Sequence, residues 1–242
     1  MRVALFSDIH SNYHALEAVL TDIAARGVDR LICLGDITLK GPLPKECVDR
    51  VRDLGCPVTL GNADGCYHPN FHPELFPAQN ESQRAVRADF HRHQAALTQA
   101  DQEWLRSFPL LISETWEGVR MEFFHASPTH NYVLVMPWAS NDQLAALRTS
   151  SETALAAFGH CHRAFVRVAH GCTVVNAGSV GLPFDGDPRS SYALLDLAPG
   201  RVSAAVIRVP YDAEAAVKAA RDTSMAGWEL FAHTARTGEF PG

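Results

Sequence analysis

The sequence predicts an α/β protein: one domain with a β-sheet from each half of the chain and helices packed on them. Three observations support this. Up to Asn62 the chain alternates short apolar runs with amphipathic stretches, and each run stops at a polar residue. The second half is a series of short β-type runs separated by turn signals such as Glu117-Gly118 and Pro199-Gly200. The 242 residues, 47% of them hydrophobic, contain no repeat, linker or low-complexity segment that would split them, so a single domain over residues 1–242 can bury a sizeable core.

Taken in order, Val3 to Phe6 reads as a buried strand that ends in Ser7-Asp8-Ile9-His10. Alternation along a strand would put Asp8 and His10 on one side and Ile9 on the other. Ala15, Leu16, Val19, Leu20, Ile23 and Ala24 form one helical face, with Ser11 or Asn12 to cap its start and Gly27 its end. Leu31 to Leu34 is a second strand stopping at Gly35-Asp36, Pro44 to Leu54 a helix with proline in its first turn, and Pro57 to Leu60 a third strand stopping at Gly61-Asn62. Such alternation describes parallel βαβ units whose strand ends open on one edge of the sheet.

Residues 65–108 read as an insertion. An irregular loop runs from Gly65 to Pro77, followed by helix-prone stretches over Glu81 to Thr98 and Gln102 to Phe108, together a small helical cap over the strand ends. Beyond it, Leu110 to Glu114, Val119 to Phe124, Ala164 to Val168, Thr173 to Val175, Tyr192 to Leu197 and Val202 to Val209 predict a mixed or antiparallel second sheet. Leu144 to Leu147, Asp212 to Asp222 and Trp228 to Ala235 read as helices.

Composition narrows the function. A net charge of -6 argues against gripping nucleic acid through a basic surface, although a nucleotide in a local pocket remains compatible. The six cysteines form no C-x-x-C pair and no disulfide framework, which fits a reducing cytoplasm. The opening Met1 to Phe6 is too short for a signal sequence, and no apolar run reaches the roughly 20 residues of a membrane span. A cytoplasmic protein is expected; oligomeric state leaves no mark on the pattern.

The chemistry gathers at the ends of apolar runs: Asp8 and His10, Asp36, Asn62, His125, then His160 and His162. Each has an ordinary reading alone, as a cap, a turn residue or a hydrogen-bonded interior histidine. Together they suit two divalent ions sharing a bridging carboxylate. Imidazole and oxygen donors without thiolate favour Mn, Fe, Zn or Co over Ca or Mg. Two ions with two ionised ligands leave a local charge of roughly +2, which attracts phosphate. In two-metal sites the ions lie about 3.5–4 Å apart and bring bound water to a pKa of about 7, giving a hydroxide for in-line attack on phosphorus.

In order and spacing, Asp8-x-His10, Gly35-Asp36 with Gly41-Pro42, Gly61-Asn62-x-Asp64, His125 and Gly159-His160-x-His162 resemble the calcineurin-like metallophosphoesterase superfamily. Asn176 to Gly181, Asp185 to Pro188 and Ser191 to Ala193 resemble its small bacterial and archaeal phosphodiesterase branch, extending the similarity to about residue 197. The resemblance implies a four-layer α-β-β-α sandwich. It also implies that Asp8, His10, Asp36 and His162 hold one metal and Asp36, Asn62, His125 and His160 the other, with Asp36 as bridge. Two divalent cations are implied, Mn first and Fe, Zn, Co or Ni as alternatives, with Asn62 and Asp64 as catalytic residues, Asp64 by orienting its neighbours.

One departure matters. Many members carry histidine where this chain has Ala63, and a methyl group cannot protonate a leaving group, a contribution of about 10²–10⁴-fold. Good leaving groups are then favoured, or His68 or His72 supplies the proton. Asn12 is a candidate phosphate donor or a plain helix cap, Lys40 a phosphate contact or a solvated loop lysine, and His68 a substrate contact. His130, Arg163 and Arg189 are lesser candidates, and Tyr67, Phe71, Phe76, Tyr132 and Trp138 either stack on a base or anchor loops. The expected activity is hydrolysis of a small or nucleotide-like phosphodiester by a metal-bridged hydroxide. A phosphomonoesterase or protein phosphatase, and a non-catalytic scaffold on the same fold, are the alternatives.

Overall fold

Strand β1 (Arg2–Phe6) sits inside a four-stranded sheet of order β2-β1-β8-β9, parallel to β2 (Arg30–Cys33) and antiparallel to β8 (Ser190–Ala198), which pairs in turn with β9 (Arg201–Val209). The computed structural model describes residues 1–71, 79 and 81–240, positions 81 and 82 by backbone alone. A second, five-stranded sheet has the order β3-β4-β5-β7-β6, from β3 (Leu111–Trp116), β4 (Val119–Phe124), β5 (Leu155–Phe158), β6 (Phe165–Ala169) and β7 (Cys172–Asn176). Both sheets mix parallel and antiparallel pairs.

Strand alternation sorts the apolar residues into three cores. Ala4 and Phe6 of β1 pack outward with Leu16 and Val19 of helix α1 (Tyr13–Ala25) and Val48 and Val51 of α2 (Pro44–Leu54). Val3 and Leu5 point the other way, meeting Met121, Phe123, Leu155 and Ala157 between the sheets. On the far face of the second sheet, Phe124, Ala156 and Phe158 pack with Leu144 and Leu147 at α6 (Asn141–Ala145). Helix, sheet, sheet, helix is the expected four-layer order. A fourth cluster joins α7 (Ala213–Asp222) and α8 (Trp228–Thr237) through Ala216, Val217, Phe231 and Leu182. Full burial of each large side chain contributes about 1.5–3 kcal/mol.

Three expectations are corrected. The sheets do not divide by chain half, because β8 and β9 return to pair with β1. Pro57 to Leu60 is not a strand but one bridge, Cys33 to Val58. The central strand β5 was not expected: Leu-Ala-Ala-Phe is short, and alanine favours strands poorly. Between α2 and β3 lie three helices, α3 (Asn62–Gly65), α4 (Glu81–Ala96) and α5 (Gln99–Leu105). His72 and Phe76 lie outside the described residues. No helix among the described residues is long and apolar enough to cross a membrane. All six cysteines are unpaired.

Candidate metal centre

Beyond β1 and β2 the chain leaves extended geometry, and two loops run side by side. Asp8 N donates to Gly35 O (3.0 Å), His10 N to Asp36 O (3.1 Å) and Ser11 N to Ile37 O (2.9 Å). Asp8, His10, Asp36, His160 and His162 all have left-handed backbone, with φ of 54°, 46°, 54°, 64° and 56°. Strand pleating therefore does not bring Asp8 and His10 to one side, as expected; tight left-handed turns aim them. A left-handed non-glycine residue costs roughly 1–2 kcal/mol, and such strain gathers at functional sites. The crossing leaves no room for side chains. A Cβ on Gly159 would collide with Ser7 Oγ and the Asp8 carboxylate, and one on Gly41 with the His10 carbonyl.

The side chains converge. Ligating atoms of Asp8, His10 and His162 lie within 4.8 Å of one another, as do those of Asp8, Asp36 and His125. Asp36 spans both sets: Oδ2 is 3.5 Å from His10 Nε2 and Oδ1 is 3.5 Å from His125 Nε2. His160 Nδ1 lies 3.2 Å and Asn62 Oδ1 3.0 Å from His125 Nε2. All seven predicted residues are thus brought together.

Backbone carbonyls orient the rings. His10 Nδ1 donates to Thr38 O and Leu39 O (both 3.2 Å), His125 Nδ1 to Leu34 O (2.8 Å) and His162 Nδ1 to Leu182 O (2.5 Å). Each Nε2 is then a bare acceptor, the arrangement typical of metal-ligating histidine. Yet His10 Nε2 and His162 Nε2 face each other at 3.1 Å, and buried Asp8 Oδ1 has no hydrogen-bond donor. The Asn62 oxygen likewise faces acceptors, and only a reversed amide would let its nitrogen donate to His125, His160 and Asp36. Lone pairs directed at lone pairs in a buried site fit a cation between them.

Electrostatics point the same way. Burial alone would raise the Asp8 pKa, but His162, His125 and His10 outweigh it and hold the carboxyl below its usual range. Burial, Lys40 and His162 press His10 well down, and burial with His125 lowers His160 to about 4. Neutral imidazoles result, the form that binds metal. For His125 burial opposes protonation, but Asp36 and Asp8 prevail and raise its pKa. The same negative field attracts a divalent cation.

The surrounding residues divide. Asp64 is fully buried and accepts from Asp36 N (2.8 Å) and Ile37 N (3.0 Å); burial and then Asp36 raise its pKa to about 7. Its oxygens hold the loop that carries Asp36. Ala63 N donates to Asp36 Oδ1 (2.8 Å), and its side chain is a buried methyl. Asn12 acts as the cap: Oδ1 accepts from Ala15 N (3.2 Å), while Nδ2 donates to Gly181 O and Tyr211 Oη. Both amide hydrogens have protein partners, which corrects the expected phosphate contact. His68 is exposed, and its Nδ1 accepts from Asn70 N in the same turn. Lys40 is half-buried and close enough to His10 to depress its pKa. Arg189 is paired with Asp187 and Arg163 lies over Trp138.

One group was not anticipated as part of the site. His93 of α4 is buried, accepting from Leu39 N at Nδ1 (3.1 Å) and donating to Gly41 O at Nε2 (3.0 Å). Asp89 accepts from Lys40 N (2.7 Å), and Arg92 donates to Pro42 O (2.9 Å). The spacing Asp89, Arg92, His93 places all three on one helical face, a signal present in the sequence but easily read as a solvated helix.

This fold and centre define a class, and comparison with known proteins agrees. The calcineurin-like phosphoesterase superfamily domain matches residues 1–200, and the chain belongs to that superfamily. Membership implies a metal-dependent phosphoester hydrolase with a small-molecule substrate. An uncharacterized protein of Methanocaldococcus jannaschii, MJ0912, is 31% identical over 225 residues, covering 87% of this chain and 88% of its own. The crystal structure of a metallophosphoesterase from Sphaerobacter thermophilus superposes with a TM-score of 0.76 at 27% identity, covering 98% of this chain and all of that one. That of the hypothetical protein PH1004 from Pyrococcus horikoshii has the same fold, with a TM-score of 0.83 at 19% identity and 98% of both chains covered.

Proposed function

We propose that the chain is a cytoplasmic phosphodiesterase for small organic phosphodiesters, nucleotide-like ones among them, with two divalent cations, Mn first, held by Asp8, His10, Asp36, Asn62, His125, His160 and His162. The observation that carries this reading is the meeting of bare Nε2 atoms with Asp8 and Asp36 in two overlapping sets. When bound, such cations supply positive charge for the phosphate and acidify water toward a pKa of about 7.

The chain's own residues do the remainder. Carbonyls of Thr38, Leu39, Leu34 and Leu182 fix the tautomers of His10, His125 and His162. Asp36 lies between the two sets, and Asp64 holds its loop. The Asn62 amide is available to the transferring group, whose charge it helps stabilise. Water oxygen bonds to phosphorus, its proton passing to solvent, as the ester oxygen leaves with its electron pair. Because Ala63 gives that oxygen no proton, diesters with acidic leaving groups are favoured over alkyl monoesters.

The test is metal analysis of the purified protein together with hydrolysis of bis(p-nitrophenyl) phosphate with and without added Mn. Two equivalents of metal and Mn-dependent release of p-nitrophenolate are expected. Folded protein with neither would overturn the reading in favour of a non-catalytic scaffold. Faster turnover of p-nitrophenyl phosphate would favour a monoesterase.

A further inference from the structure

Against the back of His162 lies a cavity of about 280 Å³ that no step above uses. Three elements form it: Val86 and Asp89 of α4, Leu182 and Phe184 from the loop after β7, and Met225, Leu230 and Phe231 at and before α8. It neighbours the metal centre across Phe184 and Leu182. The Phe184 ring stacks on the His162 ring, centroids 4.3 Å apart and planes within 6°, and Leu182 O accepts from His162 Nδ1. Lys40 is on the rim, two residues beyond the carbonyl of Thr38 that orients His10.

The wall is apolar, and its few polar side chains are already engaged. Thr234 Oγ1 donates to Glu239 O (2.9 Å), while Asp89 accepts from Lys40 N and Arg92. Among the described residues, Lys40 is the one polar side chain of the lining without a hydrogen-bond or ion-pair partner. A nucleobase would find Lys40 as the one unpaired polar side chain for its hydrogen-bonding edge, which disfavours it relative to an apolar group. A hydrocarbon group meets no such penalty. The volume falls just below the roughly 300–1,000 Å³ of sites for drug-sized ligands, so a ring or short chain fits and a long lipid tail does not.

We propose that this cavity binds one apolar ester substituent of the phosphodiester substrate, an aryl ring or a short alkyl chain, while Lys40 at its rim meets the anionic phosphate. The proposal rests on the phosphodiesterase reading above and narrows it away from nucleotides.

The test compares methyl, hexyl and thymidine-5′ esters of p-nitrophenyl phosphate on the Mn-loaded protein. In each, water oxygen bonds to phosphorus, the P–O(aryl) bond breaks and p-nitrophenolate leaves. Scissile bond and leaving group stay constant, so only the second substituent differs. Burial of the added methylenes predicts a kcat/KM for the hexyl ester about 30-fold or more above the methyl ester. Ala226→Trp, which fills the cavity, and Val86→Asn, at a half-exposed position tolerant of change, should each cut that ratio about tenfold. Calorimetric titration with hexylphosphonate and methylphosphonate gives a readout independent of turnover: hexylphosphonate should bind more tightly, and less so to Val86→Asn.

Equal turnover of methyl and hexyl esters, or preference for the thymidine ester, overturns the cavity assignment and leaves the phosphodiesterase intact. If no ester is hydrolysed, the phosphodiesterase reading fails. The titration then decides the cavity alone: no preference for hexylphosphonate overturns it, and a preference lost in Val86→Asn supports it.

Discussion

The two sides of His162 are built on opposite principles. On one, loops in left-handed conformation press together so tightly that Gly41 and Gly159 admit no side chain, and buried polar atoms face one another. On the other, ordinary helices line a cavity with hydrocarbon, and Val86 is 41% exposed. Positioning ligating atoms to a fraction of an ångström requires a backbone with no freedom. Accepting an apolar group requires only shape. The loop side should therefore tolerate almost nothing and the helical side a good deal.

That contrast can be broken at several points. Asp36→Asn removes the carboxylate between the two sets and should lower bis(p-nitrophenyl) phosphate turnover by about 10³-fold with reduced metal content, read by kinetics and elemental analysis. Gly159→Ala forces a methyl against Ser7 and Asp8; a stability loss of about 1–3 kcal/mol or more is expected in denaturant titration, with weakened metal uptake. Unchanged stability and uptake would show that the loops have slack. His93→Ala leaves the buried Leu39 N without its partner and Gly41 O with Arg92 alone, for a loss of about 1–3 kcal/mol. At the mild end, Val86→Ala should change stability by less than about 0.5 kcal/mol and leave metal stoichiometry alone. A larger effect would mean that the cavity wall is as tightly built as the loops.

What the sequence made legible follows the same division. The first βαβ unit and the helix after it are readable because apolar spacing and end signals coincide, so that α2 spans Pro44–Leu54 as expected and Asn12 caps α1. The residues that converge at the centre were readable because polar side chains directly after apolar runs are conspicuous. The way they converge was not, since pleating suggested an extended chain where Asp8 and His10 are left-handed. The return of β8 and β9 to the first sheet was hidden because pairing across such a separation is decided by tertiary packing, here Leu195 against Val3 and Leu5 in the inter-sheet core. β5 carried too little propensity to be noticed, although its end delivers Gly159-His160-Cys161-His162 to the centre. The cavity was illegible for a related reason: α4 and α8 meet only in three dimensions.

The turn from Thr38 to Gly41 serves two masters. Its Thr38 and Leu39 carbonyls decide which nitrogen of His10 carries hydrogen, and its amides and the Gly41 carbonyl are tied to Asp89 and His93 on α4. A replacement for α4 must bring along those fastenings or lose the proton pattern beneath them. The seating of α4 and the tautomer of His10 are thereby coupled through a turn only a few residues long.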